Sequence, residues 1–143
     1  MCFKKPDNPI SGFKETMFTV SEVTGLLKAQ FPQLKLDMDD RKYWTVSSED
    51  WGKIIRDVLL NMPKYISERY DCDNFSRTCA CRVASKYFLN TMGVVEGEQD
   101  GARHKWNLFF SDDLDIFMLE PQNSMMYDMS DMGGYVPDEL SMG

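Results

Sequence analysis

A chain of 143 residues with a net charge of −7 is long enough for one domain and short for two. Hydrophobic residues at 43% and charged residues at 27% exclude an intrinsically disordered chain. The acidic balance argues against nucleic acid or an anionic membrane as partner, because phosphate contacts need clustered Lys and Arg, and no apolar run is long enough to span a bilayer.

The N-terminus, Met1 to Pro6, has no apolar h-region of the secretory kind, so the protein is expected to act in a reducing cytoplasm. The four cysteines, at 2, 72, 79 and 81, are read as thiols and not as a disulfide frame. Cys79 and Cys81 are two apart and would point about 200° apart on a helix, which prevents them from sharing a metal. Both are expected as small core fillers.

Residues 1–18 are broken by Pro6, Pro9 and Gly12 and are expected as an extended N-terminal arm that lies on the domain or reaches a partner. A domain over 19–123 follows, then a Met-rich C-terminal tail over 124–143. Thr19-Val20-Ser21-Glu22 is a capping box, and Val20, Val23, Leu26 and Leu27 continue at helical spacing until Phe31-Pro32. Leu34 to Met38 alternates as a half-buried strand does, and Tyr43 to Val46 reads as a second, so a hairpin is expected here. Asp37, Asp39 and Asp40 lack EF-hand spacing and read as a solvated turn.

Ser47-Ser48-Glu49-Asp50 opens the clearest helix. Trp51, Ile54, Ile55, Val58, Leu59 and Met62 form one apolar stripe, and Pro63 stops it. A long helix is expected from about Asp71 to Met92, capped by Gly93. Residues 96–103 read as a loop. His104 to Phe110 and Ile116 to Glu120 read as an antiparallel hairpin that puts His104 and Glu120 near one end of a sheet. The tail, with Met125, Met126, Met129, Met132 and Met142, shows little periodicity and is expected to pack loosely on this domain or on another chain.

The candidate chemistry starts at Cys72, which stands where the long helix begins. A helix N-terminus favours the thiolate anion. His104, the sole histidine, could take the thiol proton and return it to a leaving group. Glu120 could hold the imidazole in one tautomer and stabilise its cation. The backbone N–H of Cys72 with Gln122 would form an oxyanion site, with Asn107 in support. Asp71, Asp73, Asn74 and Asn107 place oxygen atoms beside this set, and hard cations want such ligands; the same residues could simply cap the helix.

D-C-D-N-F at a helix start, H-x-W-N on a strand and L-E-P-Q on the next together resemble the papain-like cysteine peptidase superfamily. The likeness is nearest to calcium-dependent peptidase domains found at the C-terminus of mushroom agglutinins, and transglutaminase-like proteins share the layout. It covers about residues 70–123. The resemblance implies an α+β, papain-like fold, with helices on a small antiparallel sheet and the nucleophile at the N-terminus of a central helix. It implies a small cysteine hydrolase that cleaves a peptide or isopeptide amide through a thioester, with Cys72 as nucleophile, His104 as base and Glu120 as third member. It also implies calcium, with Asp71, Asp73 and Asn74 as ligands. Only 32 residues separate Cys72 from His104, so the cleft is trimmed. The alternative is a catalytically inactive papain-like domain, a structural or binding module such as a phage or virion protein, assembling through its arm and tail.

Overall fold

A computed structural model of the protein describes residues 11–128 and 133–143. Among these, eight strands and three helices follow in the order β1 (Thr16–Thr19), α1 (Val20–Gln30), β2 (Lys35–Met38), β3 (Lys42–Thr45), α2 (Ser48–Val58), α3 (Cys72–Tyr87), β4 (Met92–Gln99), β5 (Ala102–Phe110), β6 (Ile116–Glu120), β7 (Met125–Asp128) and β8 (Tyr135–Met142).

The helices begin where side chains can satisfy their first N–H groups. Thr19 Oγ1 accepts the Glu22 N–H at 3.3 Å while Glu22 Oε2 accepts the Thr19 N–H at 2.7 Å, a complete capping box. Ser47 Oγ accepts the Asp50 N–H at 3.1 Å at the start of α2. The exposed carbonyls at the end of α2 are met from outside: Arg82 of α3 donates through Nη1 to Val58 O at 2.7 Å and to Leu60 O at 2.9 Å. The end of α3 is a left-handed residue, Phe88, with φ of 57°, whose N–H reaches Ala84 O.

Six strands make the main sheet, in the order β2-β8-β4-β5-β6-β7; β1 and β3 pair separately as a two-stranded ribbon. β2 and β8 run parallel, and the other pairs of the sheet are antiparallel. β5 organises both faces, because successive side chains of a strand point to opposite sides. Trp106, Leu108 and Phe110 enter a core shared with Val23 and Leu27 of α1 and with Val95, Met118, Tyr135 and Leu140. Phe109 enters the other, with Trp51, Ile54 and Val58 of α2 and Cys79 and Val83 of α3. Asn107 ties α3 down on this second face: its Nδ2 donates to Ser76 O at 2.9 Å and to Gly93 O at 3.1 Å.

These findings correct the expected fold class. The molecule is mainly β, built on a six-stranded sheet that includes a parallel pair; it is not an α+β, papain-like set of helices on a small antiparallel sheet. The missed strands explain the difference. β4 carries Gly93 and Gly97, so only Val94-Val95 reads as the start of a strand, and β8 carries Pro137 and does not read as one, yet β4 is paired on both sides. β7 pairs with β6 and β8 lies between β2 and β4, so the described residues of the expected tail, 124–128 and 133–143, contribute two strands to the sheet. The expected hairpin of β2 with β3 does not form: β2 pairs with β8 and β3 with β1. α3 stops at Tyr87, and Gly93 lies inside β4 instead of capping a helix. Residues 1–10 of the expected arm lie outside the described residues, and its last residues enter β1.

Gly97 sits at the register shift between β4 and β8, opposite His104. A Cβ there would lie 2.1 Å from Val136 O and 2.8 Å from the Trp106 ring, so the backbone itself would have to move. Gly97→Ala is expected to cost about 3 kcal/mol, the upper end for overpacking, in urea denaturation; a variant as stable as the parent would show that the strands separate easily. α2 and α3 are also joined through Asp57, which accepts from Lys86 and from Tyr87, each at 2.5 Å. The Lys86 bond first, then Tyr87, holds the Asp57 carboxyl below its ordinary value. A depressed carboxyl contributes stability above its unfolded pKa and loses it as pH falls through the folded value. Below about pH 4, the melting temperature of the parent is therefore expected to fall more steeply than that of Asp57→Asn, and parallel curves would contradict this.

Candidate ligand groove at the end of beta5

His104 stands near the start of β5, opposite Gly97, with its ring stacked on Trp106 at 5.9 Å between centroids and 24° between planes. Its Nε2 lies 2.5 Å from Glu120 Oε2 at the end of β6. Glu120 is only 4% exposed, and a carboxylate so buried needs partners. It has three. Oε2 also accepts the Tyr135 hydroxyl at 3.1 Å, and Oε1 accepts the Gln122 N–H at 3.4 Å. Tyr135 in turn accepts from Gln99 Nε2 at 3.0 Å, and its ring meets Trp106 edge-on at 5.0 Å. Burial first, then the Glu120 carboxylate, pushes the Tyr135 phenol above its ordinary value, so it remains a donor.

Cys72 is the first residue of α3 and is half-buried. It lines a groove of about 210 Å³ with Asp71, Asp73, Glu96, Arg103, His104 and Lys105. Among the described residues no hydrogen bond joins Cys72 to His104. Strand alternation gives the reason. His104 shares its side of β5 with Trp106 and Tyr135, whereas α3 packs on the side of Asn107 and Phe109, so thiol and imidazole meet only at the rim.

The rim carries paired charges. Arg103 bonds Asp138 and reaches Glu96 at 3.4 Å, Lys105 reaches Glu96 at 3.6 Å, and Arg77 bonds Asp73 at 3.0 Å. Asp71 and Asp73 stand side by side, and their interaction raises the Asp71 carboxyl and lowers the Asp73 one. Asp71 Oδ1 is buried without a partner. Among the described residues no three His, Cys, Asp or Glu side chains converge as a metal site.

Of the residues singled out by sequence, Cys72, His104, Asp71 and Asp73 line the groove and Glu120 stands behind it. Asn107 is fully buried as a tie between α3 and β4. Gln122 is exposed and contributes its backbone N–H to Glu120. Asn74 Oδ1 accepts the Asp71 N–H at 3.2 Å, a capping contact. Cys79 is the core filler expected, its thiol pushed up to about 12 by burial, while Cys81 is exposed. Sequence reasoning missed Tyr135 and Gln99, whose segments read as tail and loop; no spacing signal links them to Glu120.

Residues 15–137 match the family model for the ricin-type beta-trefoil lectin C-terminal domain. The solved PSL1a-E64 complex is similar in fold, with 21% identity and a TM-score of 0.73 over 87% of this chain and 51% of that chain. The Polyporus squamosus lectin bound to the human-type influenza-binding epitope Neu5Aca2-6Galb1-4GlcNAc is similar at 23% identity and a TM-score of 0.62, over 78% of this chain and 45% of that chain. The chain thus spans about half the length of either solved structure. No curated protein matches it. These findings correct the resemblance drawn from the motifs: the matched family is named for lectins, not for papain-like cysteine peptidases, and they do not support a cysteine hydrolase acting on a peptide. With its model matched over most of the length, the chain belongs to the ricin-type beta-trefoil lectin C-terminal domain family.

Proposed function

We propose that this chain serves as a binding module of a lectin-type protein, with its ligand contacts made in the groove framed by Cys72, His104 and Glu120. Glu120 carries the reading. A carboxylate 4% exposed, held by an imidazole, a phenol and a backbone N–H, costs far more to bury than an apolar side chain at the same place. It stands directly behind the one imidazole of the chain, which opens on the groove. Such a network is worth its cost in a site that must present a fixed polar group. A glycan is the ligand class that the family supports. Hydroxyl groups would donate to the imidazole and to the carboxylates of Asp71, Asp73 and Glu96, and accept from Arg103 and Lys105.

Cys72 would sit in the floor as a contact residue at the first turn of α3. Calcium belongs to the same proposal. Asp71 and Asp73 would be its protein ligands. Two carboxylates fall short of the roughly six to eight oxygens calcium takes, so water or a ligand hydroxyl would complete the shell. Nothing else in the proposal depends on the ion.

The test is an amide NMR titration with Neu5Aca2-6Galb1-4GlcNAc and, separately, with E64, each with and without calcium. Shifts clustered at residues 71–73 and 103–105 with either compound are expected. Absence of shifts there with both compounds would overturn the reading. Iodoacetamide labelling, in which the thiolate sulfur displaces iodide, gives an independent check. Cys72 is expected to be protected by a bound ligand while exposed Cys81 is not, and His104→Ala to weaken that protection.

A further inference from the structure

The one imidazole of the groove is tied into a row of polar side chains on its own side of the sheet. Gln99 ends β4, Tyr135 starts β8, Glu120 ends β6 and His104 stands near the start of β5, so four strands each send one polar side chain to the same spot. The order of donation along this row follows from the chemistry of its members. The amide Nε2 of Gln99 can only donate, so the Tyr135 oxygen accepts there and its own proton points on to Glu120 Oε2. The same oxygen faces His104 Nε2. A carboxylate oxygen can only accept, so Nε2 carries the ring proton. Nδ1 is then the ring nitrogen left for the groove, and in the neutral ring it is an acceptor.

We propose that Tyr135, oriented by Gln99, is the positioning residue that locks Glu120 onto His104 and thereby fixes His104 as a hydrogen-bond acceptor toward the groove. The ligand it selects is one that donates a hydrogen bond at that point, a hydroxyl, not one that presents a carbonyl or ether oxygen. The inference rests on the groove being the ligand site for its use, but not for its geometry. Packing alone does not account for the phenol: the Tyr135 ring already fills its place against Trp106, and phenylalanine would do the same. Other charged groups border the imidazole without bonding it. Asp71 and Asp73 come from the α3 side, Glu96 from β4, and Arg103 and Lys105 flank it on β5. Arg103 and Lys105 are both drawn to Glu96, which leaves Glu120 as the group that selects the tautomer.

The chain has one histidine, so long-range proton–nitrogen NMR of the ring reads His104 alone. In the parent at high pH the Nε2–H tautomer is expected as the sole form. Tyr135→Phe keeps the ring and removes the hydroxyl, and is expected to raise the ratio of Nδ1–H to Nε2–H tautomer about fivefold, the change that loss of one hydrogen bond of about 1 kcal/mol allows. Gln99→Leu is expected to shift the mixture in the same direction by less. Tyr135→Phe with the parent's tautomer would overturn the proposal, as would a parent ring protonated on Nδ1. Circular dichroism and urea melts of both variants report folding, and the spectra of Gln99→Leu decide the matter where Tyr135→Phe does not fold. Failure of the glycan and E64 titrations would remove the groove as ligand site and leave the tautomer result standing.

Discussion

The alternation of side chains along β5 is the constraint on which the rest of the structure depends. One parity of that strand, Trp106, Leu108 and Phe110, makes the core beneath α1; the other, Asn107 and Phe109, receives α2 and α3. A one-residue slip would exchange the two sets and bury Lys105 where Trp106 stands. Several contacts guard the register. Trp51 donates through Nε1 to Phe110 O at 3.1 Å, Asn107 grips Ser76 and Gly93, and Gly97 lets Val136 and Trp106 approach where no side chain could fit. The same parity decides the character of the groove. It puts the imidazole on one side and the cysteine helix on the other, so the two share a rim without a bond.

The polar row behind the groove shows how a mainly apolar sheet can hold a charge. Glu120 is surrounded by Trp106, Tyr135 and Met118 on one side of the sheet, and its two oxygens are satisfied by three donors from three different elements. A network with every member paired rigidifies its surroundings, and one missing member leaves a buried charge exposed to an apolar wall. The row therefore serves stability and, under the proposed function, recognition together. That doubling fits a family in which the fold persists at 21% to 23% identity to the solved relatives.

Much of the local structure was legible in the sequence, because it is set by short-range chemistry. The capping box at Thr19 and Glu22, the stripe of Trp51, Ile54, Ile55 and Val58, and the β5–β6 pair with His104 and Glu120 at one end all stand where periodicity and capping put them. What failed was long-range. Nothing in Lys35 to Met38 says that its neighbour will be Lys35↔Glu139 and Leu36↔Leu140 instead of the strand that follows it. Nothing in Gly93 or Gly97 distinguishes a helix cap or loop from a strand closely approached on both sides. The motifs around Cys72, His104 and Glu120 were legible as a cluster, yet their short spacing could not tell a peptidase from the lectin-associated family that the chain matches. Tyr135 was invisible, since its partner lies across three strands.

The place of β8 between β2 and β4 has a kinetic consequence. β2 is made well before its partner β8, and the hydroxyl of Tyr43 bonds the carbonyl of Met142, 99 residues away. Closing so wide a loop carries an entropic cost that grows with its length, and chains dominated by distant contacts fold slowly. Until the final strand arrives, one edge of β2 and one edge of β4 stand open together, each able to pair with a neighbouring nascent chain. The eight-residue β8 is thus the strand that joins β2 to the rest of the sheet.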